Sequence, residues 1–171
     1  MSDRRSRGWR GLAGAVLVGL AASGSAAAAD VLSVKRMGMA LALDIAREAV
    51  LACREQGYQV AAVVVDRYGD TQVVLRDDLA LRFHVQIARD KANAVVLSGV
   101  DSGAFRENRD DIRTEMNHVD DILVLDGGVA VRAGGALLGA VGVSGAPGGE
   151  RDAACARAAL EAVEDRLAFI N

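Results

Sequence analysis

Asp126-Gly127-Gly128-Val129-Ala130-Val131 is followed closely by Gly139-Ala140-Val141-Gly142-Val143-Ser144-Gly145-Ala146-Pro147-Gly148-Gly149, and that run leads directly into Arg151-Asp152-Ala153-Ala154-Cys155-Ala156. Short apolar runs between glycines read as strands joined by tight turns, because glycine adopts positive φ without steric cost and lets backbones approach closely. The Pro147-Gly148-Gly149 break, with Glu150 and Asp152 just beyond it, reads as a helix start, where acidic side chains complement the helix dipole. The last third of the chain is therefore expected to be strands leading into a packed helix.

Residues 122–125, 129–132 and 136–143 predict three strands in a meander, and 149–168 a final helix with Ala156, Leu160, Val163 and Leu167 inward. Upstream, residues 34–56 carry Leu41, Ile45, Ala49, Ala52 and Cys53 at helical spacing, with Gly57 as the stop. Residues 60–65 form a continuous apolar run rich in β-branched valine, the pattern of a buried central strand, and Tyr68-Gly69-Asp70 turns the chain into a second strand at 71–75. A helix over 83–97 keeps Val85, Ala88, Ala92 and Val95 or Val96 on one face, and the charged segment 101–120 reads as short surface turns. The order predicts one α+β domain over 30–171, with a five-stranded, mainly antiparallel sheet and flanking helices.

Residues 1–29 read as an export signal: Arg4, Arg5, Arg7 and Arg10 precede the apolar stretch 12–20, and Ala27-Ala28-Ala29 gives the small-residue cleavage pattern. An uncleaved anchor is the rival, since residues 12–29 approach a span in length, but they are rich in Ala, Gly and Ser. Arg4-Arg5 lacks a following bulky apolar pair, which favours general secretion over the twin-arginine route. The expected location is periplasmic or secreted. Loss of four arginines and one aspartate from 20 basic and 23 acidic residues leaves 16 against 22, a mature charge of about −6. With 4% aromatic residues as well, nucleic-acid binding is not expected. Export leaves two readings of Cys53 and Cys155: a single disulfide, or two buried small side chains.

Several segments together resemble the GlcG/HbpS-like haem-binding family, also found as the C-terminal domain of PduO-type cobalamin adenosyltransferases. They are Val63-Val64-Val65-Asp66-Arg67-Tyr68-Gly69-Asp70, Arg76-Asp77-Asp78-Leu79-Ala80, Ile87-Ala88-Arg89-Asp90-Lys91-Ala92, the Gly127-Gly128 turn, the glycine-rich strand from Gly139, and the helix start at Asp152. The resemblance implies a profilin-like or PAS-like three-layer domain, homo-oligomers and, in several members, haem. A corrinoid is the weaker alternative ligand.

Of two histidines, His84 stands at the start of the Lys91 helix beside the loop that lines the implied pocket, and neutral imidazole is a standard axial ligand for haem iron. His118, at the end of the charged segment, is the second possible iron ligand, against the plainer reading of a solvated loop residue. Tyr68 and Met116 have ligating atoms too, although a hairpin turn and a contact with Ile112 explain them. Lys91 and Arg76 are candidates to neutralise haem propionates, while neighbouring Asp90, Asp77 and Asp78 offer ordinary ion pairing. The backbone N–H groups of residues 145–149 suit an anion weakly, since a helix cap explains them.

No HExxH, CxxC, GxSxG or phosphate-loop pattern is present, which leaves protease, thiol-redox, serine-hydrolase and nucleotidase readings unsupported. The expectation is an exported haem-binding protein for capture, buffering or delivery. Two alternatives stay open: an enzyme acting on a small aromatic or hydroxy acid with His84 or Asp66 as base, and an accessory module for a membrane sensor partner.

Overall fold

The computed structural model describes residues 32–168; the export-signal reading of residues 1–29 lies outside the described residues. Helix α1 (Met39–Glu55) precedes strands β1 (Ala61–Asp66) and β2 (Thr71–Arg76). Helix α2 (Phe83–Ser98) and the short helices α3 (Ser102–Asn108) and α4 (Arg113–Met116) come next. Strands β3 (Gly128–Ala133) and β4 (Ala136–Ser144) then lead to α5 (Gly149–Ala162) and α6 (Glu164–Ala168). Among these elements no helix is long and apolar enough to cross a membrane.

The sheet order is β2-β1-β4-β3, antiparallel at every pairing. β1 is the inner strand that the unbroken apolar run predicted, buried along its whole length. Its alternation divides the molecule into layers: Ala62 and Val64 enter the core beneath α1 and α5, whereas Val63 and Val65 enter the core beneath α2. Full burial of Val63, Val64 and Val65 is worth about 1.5–3 kcal/mol apiece relative to exposure. The result is an α+β three-layer arrangement with a helix layer on each face.

The expected fifth strand does not form. At residues 122–125 the backbone finds partners outside the sheet: Leu123 N donates to Asp90 O on α2 (3.1 Å), and Val124 N to Asn117 Oδ1 (2.8 Å). Val124, 2% exposed, packs with Ala94 and Phe105 in a small satellite core. An apolar run of four residues reads the same whether it lies on a sheet or on a helix, and here the outer face of α2 captures it. The final helix also divides, at Val163, where φ is −115° and ψ 14°.

Cys53 on α1 and Cys155 on α5 are joined in a disulfide, with Cα atoms 5.4 Å apart and 102 residues between them in sequence. The bridge resolves the two readings left open by the sequence and ties together both helices of one layer. A second tether joins α1 to the loop before α2. Arg54 forms a two-point pair with Asp77, its Nε donating to Oδ2 at 3.1 Å, while Asp77 Oδ1 also accepts from Asp78 N at 2.8 Å. These bonds hold the Asp77 carboxyl below its ordinary range, with the Arg54 hydrogen bond as the first cause.

Replacing both cysteines with alanine is expected to lower unfolding stability by about 2–4 kcal/mol, as urea denaturation would measure. For Asp77→Asn the sign follows from a depressed folded-state pKa. The native carboxylate contributes stability at pH values above about 4, and that contribution fades as pH falls through the folded value. The variant should melt below wild type at pH 7, with the gap closing toward pH 3.

Candidate functional site

Helix α2 lies unusually close to the sheet because the sheet presents glycines to it. Gly128 and Gly142 are opposite one another on β3 and β4, and a Cβ at these positions would fall 2.4 Å from Lys91 O and 1.8 Å from Ala88 O. Neither position admits a side chain without displacing the helix.

This approach delivers Lys91 to the end of the sheet. The residue is 1% exposed; its Nζ donates to Asp152 Oδ2 at 2.8 Å and to Val143 O at 3.1 Å. Asp152 lies in the first turn of α5, and its Oδ1 accepts from Ala146 N at 2.9 Å. The lysine thus spans from the helix on one face of the sheet to the helix on the other. It passes Gly127, where a Cβ would sit 2.7 Å from Nζ. Burial pushes the Asp152 carboxyl above its ordinary value, and the charge of Lys91, its hydrogen bond and the Ala146 N–H oppose that push.

His84, in the first turn of α2, is half-buried beside this pair and near enough for its charge to favour the Asp152 carboxylate. Its Nδ1 is sealed from solvent without a hydrogen-bond partner and faces Gly145, where a Cβ would lie 3.0 Å away. The neighbouring Leu81 and Phe83 are exposed apolar side chains.

The remaining sequence candidates lie apart from this cluster. Tyr68 is 63% exposed in the β1–β2 turn, at the opposite end of β1 from the Gly145 contact, with the Arg67 guanidinium 5.6 Å from its ring. Asp66 Oδ1 organises that turn by accepting from Tyr68 N (2.8 Å) and Asp70 N (3.2 Å), which gives Asp66 a structural task. His118 is exposed just past α4. Arg76 donates to Ala80 O and closes the loop before α2. Lys91 is not available for a propionate, because Asp152 already holds its charge in the interior. Ala146 N, in the loop considered for an anion, is likewise taken by Asp152. Among the described residues, no three His, Cys, Asp or Glu side chains are placed to hold a metal ion.

Sequence reasoning missed the Lys91–Asp152 pair. One signal was available: Lys91 falls on the same helical face as Ala88, Ala92 and Val95, and a lysine on an inward stripe requires a buried partner.

Lys91→Met should destabilise the protein by about 3–5 kcal/mol at pH 7, because it leaves the Asp152 carboxylate buried and unpaired. A carboxyl with a raised folded-state pKa favours folding at low pH and loses that advantage as pH rises through the folded value, so the deficit should shrink on acidification. Lys91→Met/Asp152→Asn should recover part of the loss at pH 7, as paired urea titrations would measure.

The profile of the HbpS-like family, described as haem degrading protein HbpS-like, matches residues 37–161. The structure of HbpS is 31% identical, covers 81% of this chain and 98% of its own, and superposes with a TM-score of 0.74. A double mutant of Streptomyces reticuli HbpS is also 31% identical, with coverage of 84% and 97% and the same TM-score of 0.74. The PduOC:heme complex, at 24% identity with coverage of 75% and 95% and a TM-score of 0.66, shares the fold. A search of curated proteins returned no match. With the family profile spanning nearly the whole described domain, and HbpS itself alike in both sequence and fold, the chain belongs to the HbpS-like family.

Proposed function

We propose that this protein is an exported haem-binding protein in which His84 is the iron ligand. The observation that carries the reading is the His84 imidazole itself. Its Nδ1 is sealed inside and unpartnered, Nε2 makes no hydrogen bond with the described residues, and the ring is backed by the Lys91–Asp152 pair. An imidazole held by one buried edge is the donor chemistry that haem iron takes, and the exposed Leu81 and Phe83 beside it suit an apolar macrocycle. When bound, haem would supply an iron that takes a nitrogen donor such as His84, an apolar ring that Leu81 and Phe83 would cover, and two carboxylates. The family's description as haem degrading and a structural neighbour solved with heme support the same ligand.

Export is supported by the arrangement of residues 1–29 and by the Cys53–Cys155 disulfide, a bond that persists in oxidising compartments. Leu79, Leu81 and Phe83, exposed within five consecutive residues, favour a second copy of the chain closing over this surface.

Haemin titration of the mature protein, followed at the Soret band, tests the proposal. Saturable binding that His84→Ala removes and His118→Ala retains is the expected result; nonspecific absorbance alone, or unchanged binding by His84→Ala, would overturn it. The same band followed over time with a reductant and oxygen separates carriage, in which it persists, from degradation, in which it decays.

A further inference from the structure

On the other side of α2 from His84, a cleft of about 390 Å³ runs between the helix and the edge strand β2. That volume falls in the range of small-ligand sites, about 300–1,000 Å³. Its accessible floor is apolar, made by Val74 and Val85 above the buried Val63, and Val74 is 45% exposed although it belongs to the sheet. Four polar side chains surround this floor: Thr71 from β2, Arg82 at the N-cap of α2 and, from the helix, Gln86 and Arg89.

Carboxylate pairing varies among the arginines of the surface, and Arg67 and Arg151, like Arg82, stack on a ring without a carboxylate partner among the described residues. Arg36, Arg47, Arg54, Arg106, Arg109 and Arg166 all have carboxylate partners. Arg89 has two, Asp90 at 3.3 Å and Asp121 at 2.6 Å. Arg82 has none among the described residues; its guanidinium rests on the Phe83 ring, 4.3 Å from the centroid. Stacking on a ring limits the guanidinium's freedom while leaving its edge donors open. The Gln86 amide and the Thr71 hydroxyl also make no hydrogen bond within the described residues. A free guanidinium, an amide and a hydroxyl therefore meet over Val74 and Val85, on a protein whose overall charge is negative.

We propose that this cleft is a second ligand site, independent of His84, and that it takes a small organic acid with an apolar body. The carboxylate would be held by Arg82 with help from Gln86 or Thr71, and the body would lie on Val74 and Val85. Arginine matches a carboxylate through two parallel N–H donors, and the valine floor selects for the body. No covalent step is involved.

The test uses the intact mature protein with benzoate and phenylacetate as probes, acetate as the acid without a body, and benzamide as the body without a charge. Calorimetry should show saturable binding of the two aromatic acids, and each should raise Tm. Acetate and benzamide should bind at least tenfold more weakly. Arg82→Gln should weaken the acids about tenfold or more while its far-UV spectrum and melting stay those of wild type. Val74→Glu, on an exposed position, should abolish binding by placing a like charge on the floor. His84→Ala should leave the acids' affinity unchanged. The proposal is overturned if neither acid binds, if Arg82→Gln binds as well as wild type, or if benzamide binds as tightly as benzoate. It is also overturned if haemin displaces benzoate through a dependence on His84, which would make the cleft part of the haem site. Sedimentation supplies the last arm: a dimer that Val74→Glu splits, with no acid bound, would show that a second copy occupies the cleft.

Discussion

The Lys91–Asp152 ion pair is the constraint on which the arrangement of the domain depends. A lysine and an aspartate from helices on opposite faces of a sheet can meet only where the sheet ends, and only if nothing fills the passage between them. Gly127 leaves the passage open, and Gly128 and Gly142 let the α2 backbone come within reach. The net stabilisation from such a pair is small, because both charges must first be desolvated. Its effect is on register. Any sliding of α2 along the sheet would leave two charges buried without partners, so the pair fixes where α2 begins and therefore where His84 stands.

Other contacts fix the surroundings of that point. The Cys53–Cys155 disulfide joins the two helices beneath the sheet, and the Arg54–Asp77 pair secures the loop that leads into α2. Arg76 closes the same loop through Ala80 O. The first turn of α2 is thus held by the loop before it, by the sheet below it and by the buried pair beyond it. A half-buried imidazole in that turn has little freedom, which is the condition for a ligand whose geometry must be ready before binding.

Helix α2 shows why part of the site was legible and part was not. Its existence, its extent and its apolar face follow from spacing along the chain, and the candidacy of His84 rests on its place at the start of that helix beside the pocket that the family resemblance implies. The fate of Lys91 does not follow. From the sequence, Asp90 is its obvious partner, yet Asp90 sits beside Arg89 while Lys91 reaches a residue 61 positions away. Residues 122–125 teach the same lesson for the backbone: their apolar run specifies burial, whereas the hydrogen bonds that Leu123 N and Val124 N donate to Asp90 O and Asn117 Oδ1 decide that the burial is against a helix.

The sequence by itself determined the elements that rest on local periodicity and on glycine: the inner strand β1, the hairpin at Tyr68-Gly69-Asp70, the helices α1, α2 and α5, and the family they compose. These depend on interactions within a few residues of chain, which a pattern of side chains records directly. Tertiary structure alone decided which charges find partners within the protein and which do not. Arg76 and Lys91 are engaged internally, and Arg82 is not. Charge pairing depends on distances between residues far apart in sequence and on burial that sets their strength, and neither quantity is written in the order of the residues.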